Sequence, residues 1–255
     1  MRGDARRKVK RQIVAHGSGF SLEDEHSRVD DYVLSLVKRK LPRVCFLPHT
    51  TDDAPGYRLK FHEAMALREV KASTLSLFTP PTADLAELLL EQDVIYVGGG
   101  NTKSLLALWR EWRLDRILRE AYRRGVVLCG ISAGACCWFE QAFSDSVPGR
   151  YTVLKGLGLL KGSCNPHCDK GGDREAAYIR AIARDRIAPG VGIPDGVAAH
   201  YLDGKLHRVV TVDAEQTLGL YQRKSRRVTV HEVRADLLAE QTSVRQRNGT
   251  RARGR

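Results

Sequence analysis

The stretch Val126-Val127-Leu128-Cys129-Gly130-Ile131-Ser132-Ala133-Gly134-Ala135 decides how this chain is read. Val126–Cys129 is a short apolar run of the kind that forms a buried strand. A sharp glycine-flanked turn carrying a serine follows, and then the start of a helix. Glycines at 130 and 134 suit a turn in which strand and helix backbones pass too closely for side chains. The pattern is G-x-S-x-G, a nucleophile elbow, in which the tight turn pushes the Ser132 hydroxyl out over the sheet edge. The helix N-terminus behind it offers free N–H groups and a positive dipole end to a developing oxyanion. A serine among small residues is also simply a good turn, so the motif needs partners elsewhere in the chain.

Outward from the elbow, the first half alternates strand and helix. Strands are expected over Gln12–Ala15, Arg43–Pro48, Thr74–Phe78 and Asp93–Val97, and helices over Asp30–Lys40, Tyr57–Val70, Ala83–Glu91, Asn101–Trp109 and Asp115–Arg124. This alternation predicts a parallel sheet covered on both faces. The second half reads differently: a short strand over Leu157–Leu160, a helix over Asp173–Arg186, then strands over Val197–Leu202, Leu206–Val212, Leu218–Gln222 and Arg227–Val233. Asp203-Gly204 is a hairpin turn between two of them. These strands are expected to extend one sheet edge in antiparallel fashion. The expected organisation is a single α/β domain over residues 12–235, with basic disordered tails at 1–11 and 236–255.

At 255 residues the chain is long enough for a full core. It has no apolar run long enough to span a membrane, and its basic N-terminus lacks the apolar stretch of a secretory signal. A cytoplasmic location is expected. The net charge of +12 resembles a nucleic-acid signature until it is located. Residues 1–12 hold six Lys/Arg against one Asp, and residues 240–255 five Arg against one Glu, so the two ends carry 9 of the 12 excess charges. Such ends read as solvated tails. No aromatic-studded basic face accompanies them, and a nucleic-acid partner is not expected. The six cysteines (45, 129, 136, 137, 164 and 168) lie mostly in apolar settings and are expected as thiols. Cys164-Asn-Pro-His-Cys168 matches no familiar zinc spacing, so neither a metal nor a cofactor is expected.

Val97-Gly98-Gly99-Gly100-Asn101-Thr102 follows a strand directly. Three glycines let backbone N–H groups approach a ligand, either as a phosphate cradle or as half of an oxyanion hole. Ligands of open parallel sheets bind at the carboxyl ends of strands, where both this loop and Ser132 stand, so the two are expected to share a crevice. A serine nucleophile needs a base, and the base an orienting carboxylate. His167, in Asn165-Pro166-His167 after a predicted strand, is the best base. Asp145, in a predicted loop shortly after the elbow helix, is the chosen carboxylate, with Glu140 and Asp169 as rivals.

Taken together, Gly98-Gly99-Gly100-Asn101-Thr102, Gly130-Ile131-Ser132-Ala133-Gly134-Ala135, Asp145 and Asn165-Pro166-His167 resemble peptidase E, the α-aspartyl dipeptidase family of serine peptidases, related to cyanophycinase. The resemblance implies a class I glutamine amidotransferase-like (flavodoxin-like) fold: an α/β three-layer sandwich with a mostly parallel central sheet. It implies Ser132 as nucleophile, His167 as base, Asp145 as its partner, and the N–H groups of Gly100 and Ala133 as the oxyanion hole. Gly99, Asn101 and Arg174 would bind substrate, with Arg174 reading the side-chain carboxylate of an N-terminal aspartate through its fork. The implied substrate is a short peptide, and a homodimer is compatible with the family. The loop between His167 and Arg174 is shorter than in the best-known members, and Cys136-Cys137-Trp138-Phe139-Glu140 resembles a different subgroup, which leaves the first-residue preference open. Three other readings compete: a cyanophycinase-like β-aspartyl peptidase, an α/β-hydrolase esterase, and a non-catalytic binding module of the same fold. An esterase usually places its acid and histidine much further downstream of the serine.

Overall fold

A computed structural model describes residues 9–18, 27–51 and 54–239. In chain order the elements begin with β1 (Gln12–His16), α1 (Arg28–Ser35), β2 (Arg43–Leu47), α2 (Ala54–Ala66), β3 (Lys71–Thr74), α3 (Leu85–Leu90) and β4 (Val94–Val97). Next come α4 (Thr102–Glu111), α5 (Leu114–Arg124), β5 (Val127–Ile131), α6 (Ala133–Cys136), β6 (Phe139–Val147), β7 (Arg150–Lys155) and β8 (Leu160–Pro166). The chain continues through α7 (Asp173–Ala183), β9 (Gly190–Ile193), β10 (Val197–Leu202), β11 (Lys205–Thr211), β12 (Thr217–Lys224), β13 (Arg227–Arg234) and β14 (Asp236–Leu237).

The main sheet runs β14-β11-β10-β1-β5-β4-β2-β3. Its β1-β5-β4-β2-β3 part is parallel throughout. Side chains alternate across it with period two. Ile13, Cys45, Leu47, Ile95, Val97 and Leu128 pack with the apolar faces of α3, α4 and α5. Val14, Val44, Phe46, Val94, Tyr96, Val127 and Cys129 pack with α1 and α2 on the other side. A parallel sheet buried on both faces needs apolar residues at successive positions, and that is what the continuous runs in the sequence supply. Local chemistry sets the helix ends: Asp84 and Asn101 each accept a backbone N–H as N-caps of α3 and α4, and Gly125 closes α5 at φ +88.

A second sheet runs β13-β12-β9-β8-β6-β7. The C-terminal strands were expected on one sheet edge. Instead β10 and β11 extend the main sheet beside β1, while β12 and β13 pair with β9 in the second. One core joins the two sheets, with Trp138, Phe139, Leu160, Cys164 and Ile193 in the same buried cluster as Trp109 and Val97. The loop expected around Asp145 belongs to β6. The strand expected over Thr74–Phe78 lies earlier, at Lys71–Thr74, and Asp236–Leu237, expected in the tail, pairs with β11. Asp203 and Gly204 both adopt positive φ, as a two-residue type I′ hairpin requires. Residues 1–8 and 240–255 of the expected tails lie outside the described residues.

Candidate active site

Ser132 stands between β5 and α6 with φ 53 and ψ −109, a backbone conformation that is costly for any residue with a Cβ. Two close approaches enforce it. A Cβ on Gly134 would lie 2.3 Å from the Val97 carbonyl oxygen, and one on Gly130 would lie 2.6 Å from that of Gly134. The Ser132 N–H donates to the His16 carbonyl at 3.1 Å, which ties the turn to β1. The turn directs the hydroxyl toward His167.

His167 follows the last residue of β8 and also adopts positive φ, at 53. Its Nε2 lies 2.8 Å from Ser132 Oγ, and its Nδ1 lies 2.6 Å from Asp195 Oδ1. With Nδ1–H donating to the carboxylate, Nε2 is the acceptor for the serine hydroxyl proton. The carboxylate on His167 is therefore Asp195, not Asp145. Parallel pairing of β8 with β9 explains this. Pro166 lies opposite Ile193, so the residues just beyond the two strand ends emerge side by side. Asp195 was missed in the sequence because β9, Gly190-Val191-Gly192-Ile193, is short and glycine-rich. The available signal was the turn-forming Pro194-Asp195-Gly196 directly after it.

Asp145 instead forms an ion pair with Arg174, Oδ2 to Nη1 at 2.9 Å. Partial burial pushes its carboxyl up, but the charge and hydrogen bond of Arg174 prevail and hold it below the ordinary value. Arg174 also donates from Nε to Asn165 Oδ1 at 2.8 Å and from Nη2 to the Phe143 carbonyl at 3.3 Å, with its guanidinium over the Tyr151 ring. Of the rival carboxylates, Glu140 accepts from Lys161 and from the Gly162 N–H. Asp169 makes no hydrogen bond to His167, and its carbonyl accepts from Gly172.

The glycine loop borders the serine. A Cβ on Gly99 would lie 3.3 Å from Ser132 Cβ. The Gly99 N–H is taken by the Tyr57 hydroxyl at 2.6 Å, and its carbonyl accepts from Thr50 Oγ1. Among the described residues the N–H groups of Gly100 and Ala133 make no hydrogen bond within the protein, so both are available to a ligand. Gly100 holds φ +134 with its Cα pressed against the Thr50 carbonyl, where a Cβ would meet that oxygen at 2.4 Å. The Asn101 side chain is engaged by the protein itself, its Oδ1 capping α4 and its Nδ2 donating to the Ser146 carbonyl at 3.1 Å. Beyond this wall opens a cavity of about 1080 Å³ lined by Pro48, Thr50, Phe78, Gly100, Asn101 and Leu108 among others, and neither Ser132 nor His167 lines it. Among the described residues no group of three or more His, Cys, Asp or Glu could hold a metal ion.

The arrangement is a hydroxyl, an imidazole and a carboxylate in one line of hydrogen bonds, beside backbone donors at a helix start. Such a set can perform acyl transfer. The model of peptidase family S51 matches residues 13–209. The uncharacterized peptidase YgaJ of Bacillus subtilis (strain 168) is 46% identical over 203 residues, covering 80% of this chain and 88% of that one. Peptidase E of Pasteurella multocida (strain Pm70) is 29% identical over 178 residues, covering 66% of this chain and 74% of its own length. The crystal structure of a peptidase from an acI-B1 Actinobacterium superposes with a TM-score of 0.62 at 18% identity, covering 89% of this chain and 96% of that one.

Proposed function

The chain belongs to peptidase family S51, the peptidase E family, and is a serine-type peptidase; from that premise we propose that it hydrolyses short peptides by two-step acyl transfer at Ser132. The observation that carries this reading is the continuous line from Ser132 Oγ through His167 to Asp195, at 2.8 and 2.6 Å. His167 Nε2 takes the hydroxyl proton as Oγ attacks the peptide carbonyl, and Asp195 stabilises the imidazolium that forms. The carbonyl oxygen becomes an anion and settles between the N–H groups of Gly100 and Ala133. His167 then gives the proton to the departing amine, and water, activated by the same imidazole, releases the acid from Ser132.

An N-terminal aspartate preference, as the resemblance implied, would require Arg174 to present its fork to substrate. Three of its donors are already engaged by protein groups, which counts against that preference. The test is a pair of measurements on wild type and Ser132→Ala: labelling by a fluorophosphonate probe and hydrolysis of an Ala-Leu dipeptide. Wild type is expected to label at Ser132 and to cleave, and the variant to do neither. Undiminished cleavage by Ser132→Ala would refute the assigned nucleophile.

A further inference from the structure

We propose that Asp145 is a specificity residue, an anionic receptor at the rim of the crevice that favours peptides bearing a cationic group at or beside the first residue and repels acidic ones. The proposal deepens the peptidase reading above and rests on it. Four observations lead to it.

The first is position. β6 and β8 are parallel, with Ala142 opposite Cys164, and continuing that register brings Asp145 level with His167. The residue after Asp145 is clamped to the other wall of the crevice, since the Ser146 carbonyl accepts from Asn101 Nδ2 and its hydroxyl accepts from the Lys103 N–H at 3.2 Å. Asp145 is thus one residue from the contact with the glycine-loop wall, and its carboxylate is near enough to His167 to feel the charge of the imidazolium.

The second is exposure. In the pair with Arg174, the arginine side chain is 13% exposed and the aspartate 68%. What the pair shows to an incoming peptide is the carboxylate. The third is rigidity. Arg174 is fixed by Asn165, two residues before His167, by the Phe143 carbonyl and by the Tyr151 ring. Asp145 is thereby pre-organised, so a ligand need not order it. The fourth is occupancy. The Arg174 Nη1 that could bind a substrate carboxylate already holds one supplied by the protein. A substrate aspartate would have to displace Asp145 or sit beside it, charge against like charge.

The shared chemistry is an ammonium or guanidinium, supplied either by the peptide's free α-amino group or by a Lys or Arg side chain. The test measures binding, not turnover, by calorimetry on the Ser132→Ala protein with Lys-Leu, Ala-Leu, Asp-Leu and N-acetyl-Lys-Leu. Lys-Leu is expected to bind about tenfold tighter than Asp-Leu, the size expected of a partly exposed charge acting with opposite sign on the two ligands. Asp145→Asn in the same background, which keeps a hydrogen-bond acceptor for Arg174, is expected to reduce that ratio to about twofold or less. Retained preference in N-acetyl-Lys-Leu assigns the cation to the side chain, and its loss assigns it to the α-amino group. Equal or tighter binding of Asp-Leu, a preference that survives Asp145→Asn, or no binding of any of the four would overturn the proposal. Failure of the peptidase reading shows elsewhere, as turnover that persists without Ser132.

Discussion

His167 Nδ1 lies 2.6 Å from Asp195 Oδ1 because the strands that deliver them, β8 and β9, are parallel neighbours ending level with one another. A histidine and a carboxylate 28 residues apart become partners through sheet pairing, while the carboxylate nearer to the serine in sequence is turned to an arginine.

Replacing Asp195 by Asn removes the charge that orients the imidazole and stabilises its protonated form. The expected result is a fall in kcat of about 10²–10⁴ on an Ala-Leu dipeptide, with KM little changed. Asp145→Asn on the same substrate, whose side chain is uncharged, is expected to act on KM and to change kcat by less than about threefold. Steady-state kinetics on the two variants checks both statements, and a reversed order would return the orienting role to Asp145.

The backbone at Ser132 is strained, with φ 53 and ψ −109. Ser132→Ala keeps the Cβ and the strain, whereas Ser132→Gly relieves about 1–3 kcal/mol and loses about 0.5–1 kcal/mol to chain entropy. Both variants are expected to be inactive, with the glycine variant the more stable. Its Tm should lie a few degrees higher in a calorimetric scan, about 2–4 °C per kcal/mol for a domain of this size.

Gly134→Ala would place a Cβ 2.3 Å from a carbonyl oxygen of the adjoining strand end, with backbone on both sides of the contact. Neither backbone can yield without moving β4 or the elbow. The expected cost is about 1–3 kcal/mol of stability, with a loss of activity out of proportion to it as Ser132 shifts from His167. Denaturant titration and kinetics on one preparation separate the two effects.

His16 and His49 are buried, and burial lowers their protonation to about 3 and about 4. Both are neutral in the native fold, while in the unfolded chain they bind protons below about pH 6.5. Stability is therefore whole above that pH and falls as pH drops from there toward 3–4. Each group contributes a slope of about 1.4 kcal/mol per pH unit. His16→Gln is expected to remove one such slope, and urea titrations at pH 7, 6, 5 and 4 would show it. Parallel wild-type and variant curves would contradict the assignment.

The sequence by itself determined the parallel core and the elbow. Continuous apolar runs such as Val94–Val97, alternating with helical stretches, fit strands buried on both faces, and Gly130 and Gly134 are required by backbones that nearly touch. Local chemistry also marked the Asp203-Gly204 hairpin, because a turn needs only its own neighbours. Which carboxylate meets His167 and which residue binds Arg174 were decided by tertiary structure. Those pairings follow from the β6-β8-β9 order of a second sheet, in which Gly190–Ile193 is too short and too glycine-rich to declare itself a strand. An aspartate carries the same local signal whether it faces an imidazole or a guanidinium, and only the packing of distant strands distinguishes the two.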